Sequence, residues 1–519
     1  MLKSCCAGVK YTCGTAFCVI GNFVPITQKS SAGMRTAAYN ADVASDRLRR
    51  KNVPWHILCS VIGFIRNRSE RVMKDESRDL TKGPLARQIL VFSIPLVLSN
   101  LLQVLFNMSD IAVVGQFAGS HALGSVGSTT TLVTLFTTFL IGVSGGVNVM
   151  TAQYIGAKKD KDVREVVHSA AWMCTLMGVI LLLIGLIFSR LILEIMKTKE
   201  ELIDGAALYL RIYFLGMPAL GIYNFGNAVF SAIGDTRKPV YILAFSGVVN
   251  ILLNLFFVIV CKLSVAGVAI ASITSQYMSA VLIMIALMRA DERIRFSFKH
   301  IKFYQDKVKD LFKLGFPAGI QNAIFQFANL FVQVGVNSFD AVIVEGNSAA
   351  TNADALVYDV MAAFYTACAS FMGQNYGAGN KKRVRNSYII SLAYSFGIGM
   401  VMGITINILG RPFLSLFTKD SAVIDAGMLR LNIMSISYGF SAFMDCTIAA
   451  SRGLGKTVVP TYIVIMGSCV FRVVWIYTVF AYFRTVPSLY ILYICSWTLT
   501  AIAEFIYFRR VYKERIEVL

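Results

Sequence analysis

The sequence predicts an all-α integral membrane protein with twelve transmembrane helices in two six-helix halves around a central cavity. Three observations predict this class. The 519 residues are 56% hydrophobic and only 15% charged, whereas a soluble protein has about 25% charged residues. The apolar residues form repeated runs of about 20 residues or more, the length that spans a bilayer core as a helix. Motifs of the first half also recur in the second.

The segment 1–80 differs from the rest of the chain because it is basic and its best apolar run, 53–65, is too short to span a membrane. It has no clear secretory signal peptide. It is either a disordered leader or translated sequence upstream of a natural start at Met73. The remaining predicted segments are a first six-helix bundle at 81–289, a cytoplasmic linker at 290–310, a second bundle at 311–510 and a cytoplasmic tail at 511–519.

Twelve apolar runs follow the leader, and several exceed the minimum length, which allows tilt. They lack the alternation of barrel strands, and an open sheet would leave backbone polar groups unpaired in lipid. The predicted spans are 86–114, 122–152, 166–193, 206–233, 240–261, 264–288, 311–337, 342–373, 386–409, 425–450, 458–482 and 486–508.

The net charge of +20 reflects orientation in the membrane. If the segment before span 1 is cytoplasmic, most Lys and Arg residues that flank the spans are cytoplasmic too, as in AKKDKDVR (157–164) and NKKRVR (380–385). This asymmetry follows the positive-inside rule and predicts two cytoplasmic termini. The basic charge therefore indicates topology and not a nucleic-acid partner.

Several motifs occur twice, 221 or 222 residues apart. The pairs include AQYIGAKKDKDVR (152–164) with GQNYGAGNKKRVR (373–385), GDTRKPVY (234–241) with GKTVVPTY (455–462), and Pro95 with Pro317. Six spans is an even number, so both halves insert in the same orientation and are related by an axis along the membrane normal. This arrangement favours alternating access, but a duplicated channel or receptor would have the same repeat.

Span 1 contains a carboxylate within an apolar run. Gln103, Asn107 and Asp110 lie with Asn100 on one helical stripe. The counterpart of Asp110 in the second half is Val332. Burial favours the neutral form of such a carboxylate, which can hold a proton or a small cation beside amide oxygens. The alternative is that Asp110 caps the helix or forms a local hydrogen bond.

Pro95 precedes Asp110 by 15 residues in the same span. A proline inside a helix frees a carbonyl group and kinks the helix. We predict that bending at Pro95 couples the charge state of Asp110 to the shape of the helix, and a static kink is the alternative. Pro218 and Pro317 also fall within spans.

Two segments are similar to enzyme motifs but lack the necessary context. GVSGG (142–146) lies in the predicted helix of span 2 rather than at a strand–turn–helix elbow, and the four histidines fall in the leader, in loops or at helix edges, away from Ser144. GLGKT (453–457) has Ala450 where a P-loop needs its first glycine. We therefore predict a transporter and not an enzyme, with no cofactor or metal site, driven by an ion gradient.

Span 5 places Asn250 and Asn254 one helical turn apart, and their counterparts are Phe471 and Trp475. The first half thus concentrates polar residues that the second half lacks. We predict that both amides join Asp110 in one site for a cation or proton. Hydrogen bonding between helices is the alternative.

The second half has its own polar candidates for a cavity that selects cationic solutes. They are Gln326 on span 7, Asp354, Tyr358 and Asp359 on span 8, and Asp445 on span 10. Span 12 contains a further acid, Glu504. The alternative for any one of these acids is an ion pair with Arg430 or Arg472.

Residues 81–512 resemble the multidrug and toxic compound extrusion (MATE) family. The resemblance rests on the six-plus-six layout, on SIPLVLSNLLQVLFNMSDIAVVGQ (93–116), and on the paired turns AQYIGA with GQNYGAG and GDTRKP with GLGKT. It implies a monomeric antiporter of the plasma membrane that exports small organic, often cationic solutes in exchange for H⁺ or Na⁺.

The resemblance also implies roles for particular residues. An acid on span 1, with a kinkable proline fifteen residues earlier, is a cation or proton site in the family, and Asp110 and Pro95 match it. The family pair on span 5 is an Asn followed four residues later by an Asp, whereas here Asn254 follows Asn250. The missing charge favours H⁺ over Na⁺. Ser272 matches a hydroxyl on span 6.

The alternative function is a flippase for a lipid-linked precursor, which belongs to the same superfamily. Such flippases resemble this plan but commonly have extra spans and a more cationic cavity. The twelve spans and the acids within them favour a transporter of organic cations.

Overall fold

The computed structural model describes residues 79–517 except for 197 and 301–303. The predicted start at Met73 and nearly all of the leader therefore lie outside the described residues, as does part of the linker. The described residues form eleven long helices and one broken helix, with no strand, and each predicted span lies on one of these twelve elements. The helices are α1 Leu85–Phe117, α2 Ser120–Gly156, α3 Asp160–Ile195, α4 Glu200–Phe214 with Met217–Ala232, α5 Arg237–Val260, α6 Ser264–Met288, α7 Gln305–Val336, α8 Ala341–Gly377, α9 Lys381–Leu414, α10 Ser421–Gly453, α11 Val458–Phe483 and α12 Val486–Glu517.

Ten of these helices are long and apolar enough to cross a membrane, and the two parts of α4 make an eleventh span if they are taken together. The two parts meet at 47°. Pro218 lies in the first turn of the second part, where its missing N–H costs no helical hydrogen bond. The remaining helix, α7, has 32 residues, but its stripe of amides lowers its hydropathy.

The first half, α1–α6, contacts the second half, α7–α12, mainly through three helix pairs. Two of them are equivalent, α1 on α8 and α2 on α7, and the third is α2 on α8. Glycines let α2 and α7 approach at backbone distance, since a Cβ at Gly142 would lie 2.6 Å from the Ala318 carbonyl oxygen and one at Gly146 would lie 2.6 Å from the Gly315 nitrogen. GVSGG is thus a packing surface.

Two partly buried amides join the halves near the middle of these helices. Asn100 of α1 donates to the Asp359 carbonyl oxygen at 2.8 Å, and Asn322 of α7 donates to the Thr138 carbonyl oxygen at 3.0 Å. Asn322 is the sequence counterpart of Asn100. The repeat read from the sequence is therefore also a repeat of tertiary contacts.

A second symmetric contact lies where α2 and α8 end, close to the basic segments 157–164 and 380–385. We call the end of the molecule that contains these two segments the basic end. Gln153 donates to the Gly453 carbonyl oxygen at 2.8 Å, and its counterpart Gln374 donates to the Ala232 carbonyl oxygen at 2.5 Å. Among the described residues, the side-chain hydrogen bonds that join the halves lie between the Asn100 level and the basic end. The molecule is therefore closed at that end.

Candidate functional site

Asp110 lies in the last two turns of α1, towards the end opposite the basic end. Its carboxylate is partly buried and accepts hydrogen bonds from two other helices. Asn254 of α5 donates through Nδ2 to Asp110 Oδ1, and Ser272 of α6 donates through Oγ to Asp110 Oδ2 at 3.1 Å. The structure therefore joins three residues that are far apart in the sequence, and all three are predicted site residues.

Asn250 completes this cluster from one turn earlier on α5. The Nδ2 atom of Asn254 also donates to Asn250 Oδ1 at 3.2 Å, and both amides are buried. The Oδ1 atom of Asn254 is buried and has no hydrogen-bond partner among the described residues. A buried acceptor without a donor is costly, so this oxygen is available to a proton-bearing group or a cation.

The helix that holds the two amides changes its winding directly after them. It is α-helical to Leu255 and π-helical over Phe256–Val260. A single π-helical turn within an α-helix is frequently found at a functional site. Here it follows Asn254 immediately, where the wider winding alters the direction of the next side chains.

Two tyrosines that the sequence did not indicate complete the surroundings of Asp110. Tyr209 and Tyr213, on the first part of α4, lie close enough to interact electrostatically with the carboxylate. Their rings stack with centroids 5.8 Å apart. The i, i+4 spacing of the two rings predicts that they share a helix face, but not which neighbour that face meets.

The cluster can neutralise one positive charge. Among the described residues, Asp110 has no ion pair with Lys or Arg, so its ionised form has no countercharge in contact. The nearby oxygens come from a carboxylate, two amides and a hydroxyl, which are the ligands preferred by hard cations. A group of three or more His, Cys, Asp or Glu residues that could hold a metal is absent from the described chain.

Other members of the polar stripe on α1 do not join this cluster. Gln103 is partly buried and Asn107 is exposed, and neither has a hydrogen-bond partner among the described side chains. Asn100 joins the halves instead. The periodicity of the sequence places these four polar residues on one face of α1. They lie at different positions along the helix axis, so only Asp110 reaches the cluster.

Pro95 lies inside α1, which continues through it to Phe117. The segment before α5 contacts the backbone of α1 close to the proline. There Thr236 donates to the carbonyl oxygen of Phe92, three residues before Pro95, at 3.0 Å. The same segment leads into the helix that holds Asn250 and Asn254. The proline and the Asp110 cluster are therefore linked both by α1 and by α5.

In the second half, Asp354 forms an ion pair with Arg430, which was the alternative to solute contact. Arg430 donates to Asp354 through Nε at 3.0 Å and Nη2 at 2.5 Å, and Tyr438 donates to the other carboxylate oxygen. Arg430 also donates to Asn347 at 2.8 Å. This buried network leaves Asp354 with its charge already paired.

The other second-half candidates are less fully partnered. Asp359 and Gln326 are partly buried, and no hydrogen bond is described for either side chain. The buried Tyr358 hydroxyl has no hydrogen-bond partner in the part of the chain that the structure describes, while its ring packs on Trp497 with centroids 5.7 Å apart. Asp445 accepts from Ser441 at 3.0 Å.

Comparisons with known proteins agree with this architecture. The MatE family model matches residues 95–256 and again 317–478, so the two matches begin at Pro95 and Pro317. A probable multidrug resistance protein of Bacillus subtilis, YpnP, is 28% identical over 70% of this chain and 81% of its own length. The probable multidrug resistance protein NorM of Thermotoga maritima is 25% identical over 77% of this chain and 86% of its own.

Solved structures share the same fold. One, described as the outward-facing conformation of a multidrug resistance MATE family transporter, has a TM-score of 0.78 at 20% identity and covers 84% of this chain and 98% of its own. A transporter from Pyrococcus furiosus, described as having a binding pocket of reverse polarity, matches equally well. Two family matches at the repeat spacing, on a shared twelve-helix fold, show that this chain is a multi-pass membrane protein that belongs to the MatE family of efflux transporters.

Proposed function

We propose that the protein is a secondary antiporter that exports organic, often cationic solutes in exchange for H⁺ or Na⁺, and that Asp110 is its coupling site. The observation that carries the proposal is the contact of Asp110 with Asn254 and Ser272. The cluster has one carboxylate, so one monovalent ion neutralises it. Neutralisation removes the cost of a charge in an apolar setting and changes which helix packing is favoured.

The closed basic end supports alternating access. We place the basic end on the cytoplasmic side, because its many Lys and Arg residues follow the positive-inside rule. With that orientation, the described state is closed to the cytoplasm and Asp110 lies nearer the outer side. A structural neighbour is described as outward-facing, which fits this assignment. Ion binding from outside would then precede rearrangement of the two halves.

Pro95 is the element of α1 that can respond to the ion. A helix bends most readily where a proline leaves a carbonyl without its helical donor. Thr236 donates to a neighbouring carbonyl in this structure, so one hydrogen bond steadies the region of the kink. We infer that charge at Asp110 and the bend at Pro95 change together.

Relatives support an organic cargo. Those above are named probable multidrug resistance proteins, while a Shewanella oneidensis relative at 23% identity is named a FAD transporter. Tyr358, Asp359, Asp445 and Gln326 are our candidates for solute contact, since acids and aromatic rings both attract organic cations. A flippase for a lipid-linked precursor is not favoured by these names.

The decisive experiment measures efflux of a fluorescent organic cation from proteoliposomes under separately imposed pH and Na⁺ gradients. We expect wild-type efflux to follow one of the two gradients and Asp110→Asn to lose gradient-driven efflux, at least tenfold. Asp204→Asn is the matched control, because Asp204 lies in the same half and its side chain is exposed in an ion pair with Arg190. Its efflux should equal that of the wild type.

Gradient-driven efflux that persists in Asp110→Asn would exclude Asp110 as the coupling residue. Efflux by the wild type that ignores both gradients would exclude an antiporter of this kind. A response to the pH gradient alone identifies H⁺ as the coupling ion, and a response to Na⁺ alone identifies Na⁺.

A further inference from the structure

Glu504 on α12 is a fully buried carboxyl group that the Asp110 mechanism does not use. Its exposed fraction is 0%, and neither carboxylate oxygen has a hydrogen-bond partner among the described residues. A buried ionised carboxylate without a donor or a bound cation is strongly unfavourable. The site therefore needs a positively charged ligand.

The charged neighbours of Glu504 are close but do not satisfy it. Asp445 and Arg452 of α10 lie within electrostatic range of Glu504. Arg452 uses Nη2 to donate to Gln321 of α7 at 2.9 Å, and its buried Nε has no acceptor within the described ranges. Arg452 interacts with both acids, whereas Arg472 interacts with Asp445 and not with Glu504. Glu504, Asp445 and Arg452 together are therefore one positive charge short when both acids are ionised.

Other titratable groups complete the surroundings from each packed element. Arg472 of α11 interacts with Asp445, and Tyr507 of α12 interacts with Glu504. On α8, Tyr365 interacts with Asp445, Arg452 and Asp359. Arg472 does not supply the missing charge directly. It donates to Asn329 at 2.7 Å and packs on the Phe325 ring at 4.5 Å.

The first half shows that the fold does not need a carboxyl group at this position. The counterpart of Glu504 is Ile283 of α6, which is also fully buried. The flanking pairs match as well, since Ser275 with Ser496 and Ala280 with Ala501 are all buried. An apolar side chain therefore packs at the equivalent place, and Glu504 brings in a charge that packing does not require.

The helix facing Glu504 is locally rewound. Residues Ile465–Val470 of α11 are π-helical, and within them Ser468 forms a hydrogen bond of 3.0 Å with Thr500, one turn before Glu504. Gly467 allows this approach, because a Cβ there would lie 2.5 Å from Thr500 Oγ1. A π-helical segment beside an unsatisfied carboxyl group repeats the arrangement found beside Asn254.

We propose that Glu504, with Asp445 and Arg452, forms a second proton-binding site, in the second half and towards the basic end. A proton on either acid makes the set of two acids and one guanidinium electrically neutral. Because the basic end is closed, this proton exchanges with water only when that end opens. Its use in transport rests on the proposed function, whereas proton binding itself does not.

The test uses the full chain in lipid nanodiscs without solute. Infrared difference spectra between low and high pH report the C=O stretch of each carboxyl group that gains a proton. We expect one component of the wild-type signal to be absent from Glu504→Gln and from Glu504→Ile. The second variant copies the first-half residue and so keeps the packing. Glu514→Gln, at an exposed acid of the same helix, should keep the component that the Glu504 variants lose.

A signal that is unchanged in both Glu504 variants overturns the proposal, as does a Glu504 component that is present but insensitive to pH. Binding of radioactive Na⁺ that is lost in Glu504→Ile, with no titrating component, also overturns it in favour of a metal cation. In transport, Glu504→Gln should export with one proton fewer per solute, whereas Asp110→Asn loses coupled export. If the wild type exports nothing, the infrared result still decides whether Glu504 binds a proton.

Discussion

Asn254 determines how many charges the Asp110 cluster can hold. Its Nδ2 donates both to Asp110 and to Asn250, and its Oδ1 accepts from none of the described residues. An aspartate at this position would have no donor and would face another carboxylate. Two carboxylates in contact cannot both be ionised unless a cation lies between them or one is protonated. The residue therefore bears directly on the choice between H⁺ and Na⁺.

We predict that Asn254→Asp creates a Na⁺-dependent protein. Na⁺ binding to the folded state should raise the melting temperature of the variant. At a Na⁺ concentration 100 times the dissociation constant, it should raise the free energy of unfolding by about 2.7 kcal/mol. The measurement is thermal unfolding at neutral pH in NaCl and in choline chloride of equal ionic strength. The wild type should show a smaller difference between the two salts.

Asn107→Asp is the matched control for this prediction, because it adds the same charge to an exposed position on α1, three residues before Asp110. It should show no additional effect of Na⁺. An equal Na⁺ response in both variants would mean that Asn254 does not belong to an ion site, and that added charge alone explains the effect.

The sequence was sufficient to find Asp110, Asn250 and Asn254, because a polar residue in an apolar helix is conspicuous and the repeat showed that the second half lacks its equivalent. Tyr209 could not be found in this way. A tyrosine in a membrane helix is ordinary, and only the packing of α4 against α1 brings it near the carboxylate. Glu504 was visible as an acid, but its lack of partners depends on three-dimensional packing.

At the scale of elements, the crossing of α2 and α8 depends on two glycines. A Cβ at Gly156 would overlap the Gln374 carbonyl oxygen, and one at Gly377 would overlap the Gln153 carbonyl oxygen. Backbone atoms cannot move aside as a flexible side chain can. The two helices must therefore separate if either glycine gains a side chain.

We predict that Gly156→Ala destabilises the protein by about 1–3 kcal/mol, the usual effect of overpacking, measured by thermal unfolding in detergent. Gly145→Ala is the control on the same helix, because its Cβ would meet nothing within 4 Å. Alanine is the better helix former by about 0.5–1 kcal/mol, so Gly145→Ala should be neutral or stabilising. Equal melting temperatures for the two variants would show that the crossing does not limit stability.

Element boundaries were predictable where the sequence contains a proline or a basic turn that ends a helix, and less so elsewhere. Pro218 indicated the break in α4, and the basic turns indicated where α2 and α8 end. The π-helical segments of α5 and α11 have no such signal, since an extra residue per turn is selected by neighbouring helices. The amides of α7 reduce its hydropathy, but its apolar run was still recognisable as the span 311–337.

At the scale of the molecule, the halves repeat each other in contacts but differ in charge. Asn100 and Asn322 make equivalent hydrogen bonds between the halves, whereas Asp110 and Glu504 have apolar counterparts, Val332 and Ile283. The repeat thus supplies two similar halves. Their differences supply the two proposed acidic sites, one towards each end of the bundle.

The basic end holds the halves together through a second pair of equivalent positions. Lys307 of α7 contacts Asp162 of α3 at 2.5 Å and Tyr154 of α2 at 3.0 Å. The counterpart of Asp162 is Arg383 of α9, which donates to the Gly83 and Leu80 carbonyl oxygens at 2.8 and 3.0 Å. Each half therefore contacts the start of the other half. The first half contacts the first turn of α7, and the second half contacts the segment before α1.

We predict that Arg383→Gln shifts the protein towards a state open at the basic end. Hydrogen bonds to a charged group contribute about 1.5–3 kcal/mol, and each 1.4 kcal/mol changes a population ratio about tenfold. Spin labels at Lys158→Cys and Lys382→Cys, on exposed positions of the two halves, should report a larger population at long distance. Asp162→Lys should act in the same direction, and Asp162→Lys combined with Lys307→Asp should reverse part of the shift.

Lys456→Gln is the control for this shift, because Lys456 pairs with Glu514 at the same end but within one half. Loss of that ion pair should leave the label distances unchanged. If Arg383→Gln and Lys456→Gln give the same distances as the wild type, the contacts of Arg383 do not hold the halves closed. If Arg383→Gln shifts the label distances but the Asp162→Lys and Lys307→Asp double variant does not restore them, the Lys307–Asp162 contact depends on its geometry and not on charge alone. Arg383 then remains the main link between the halves.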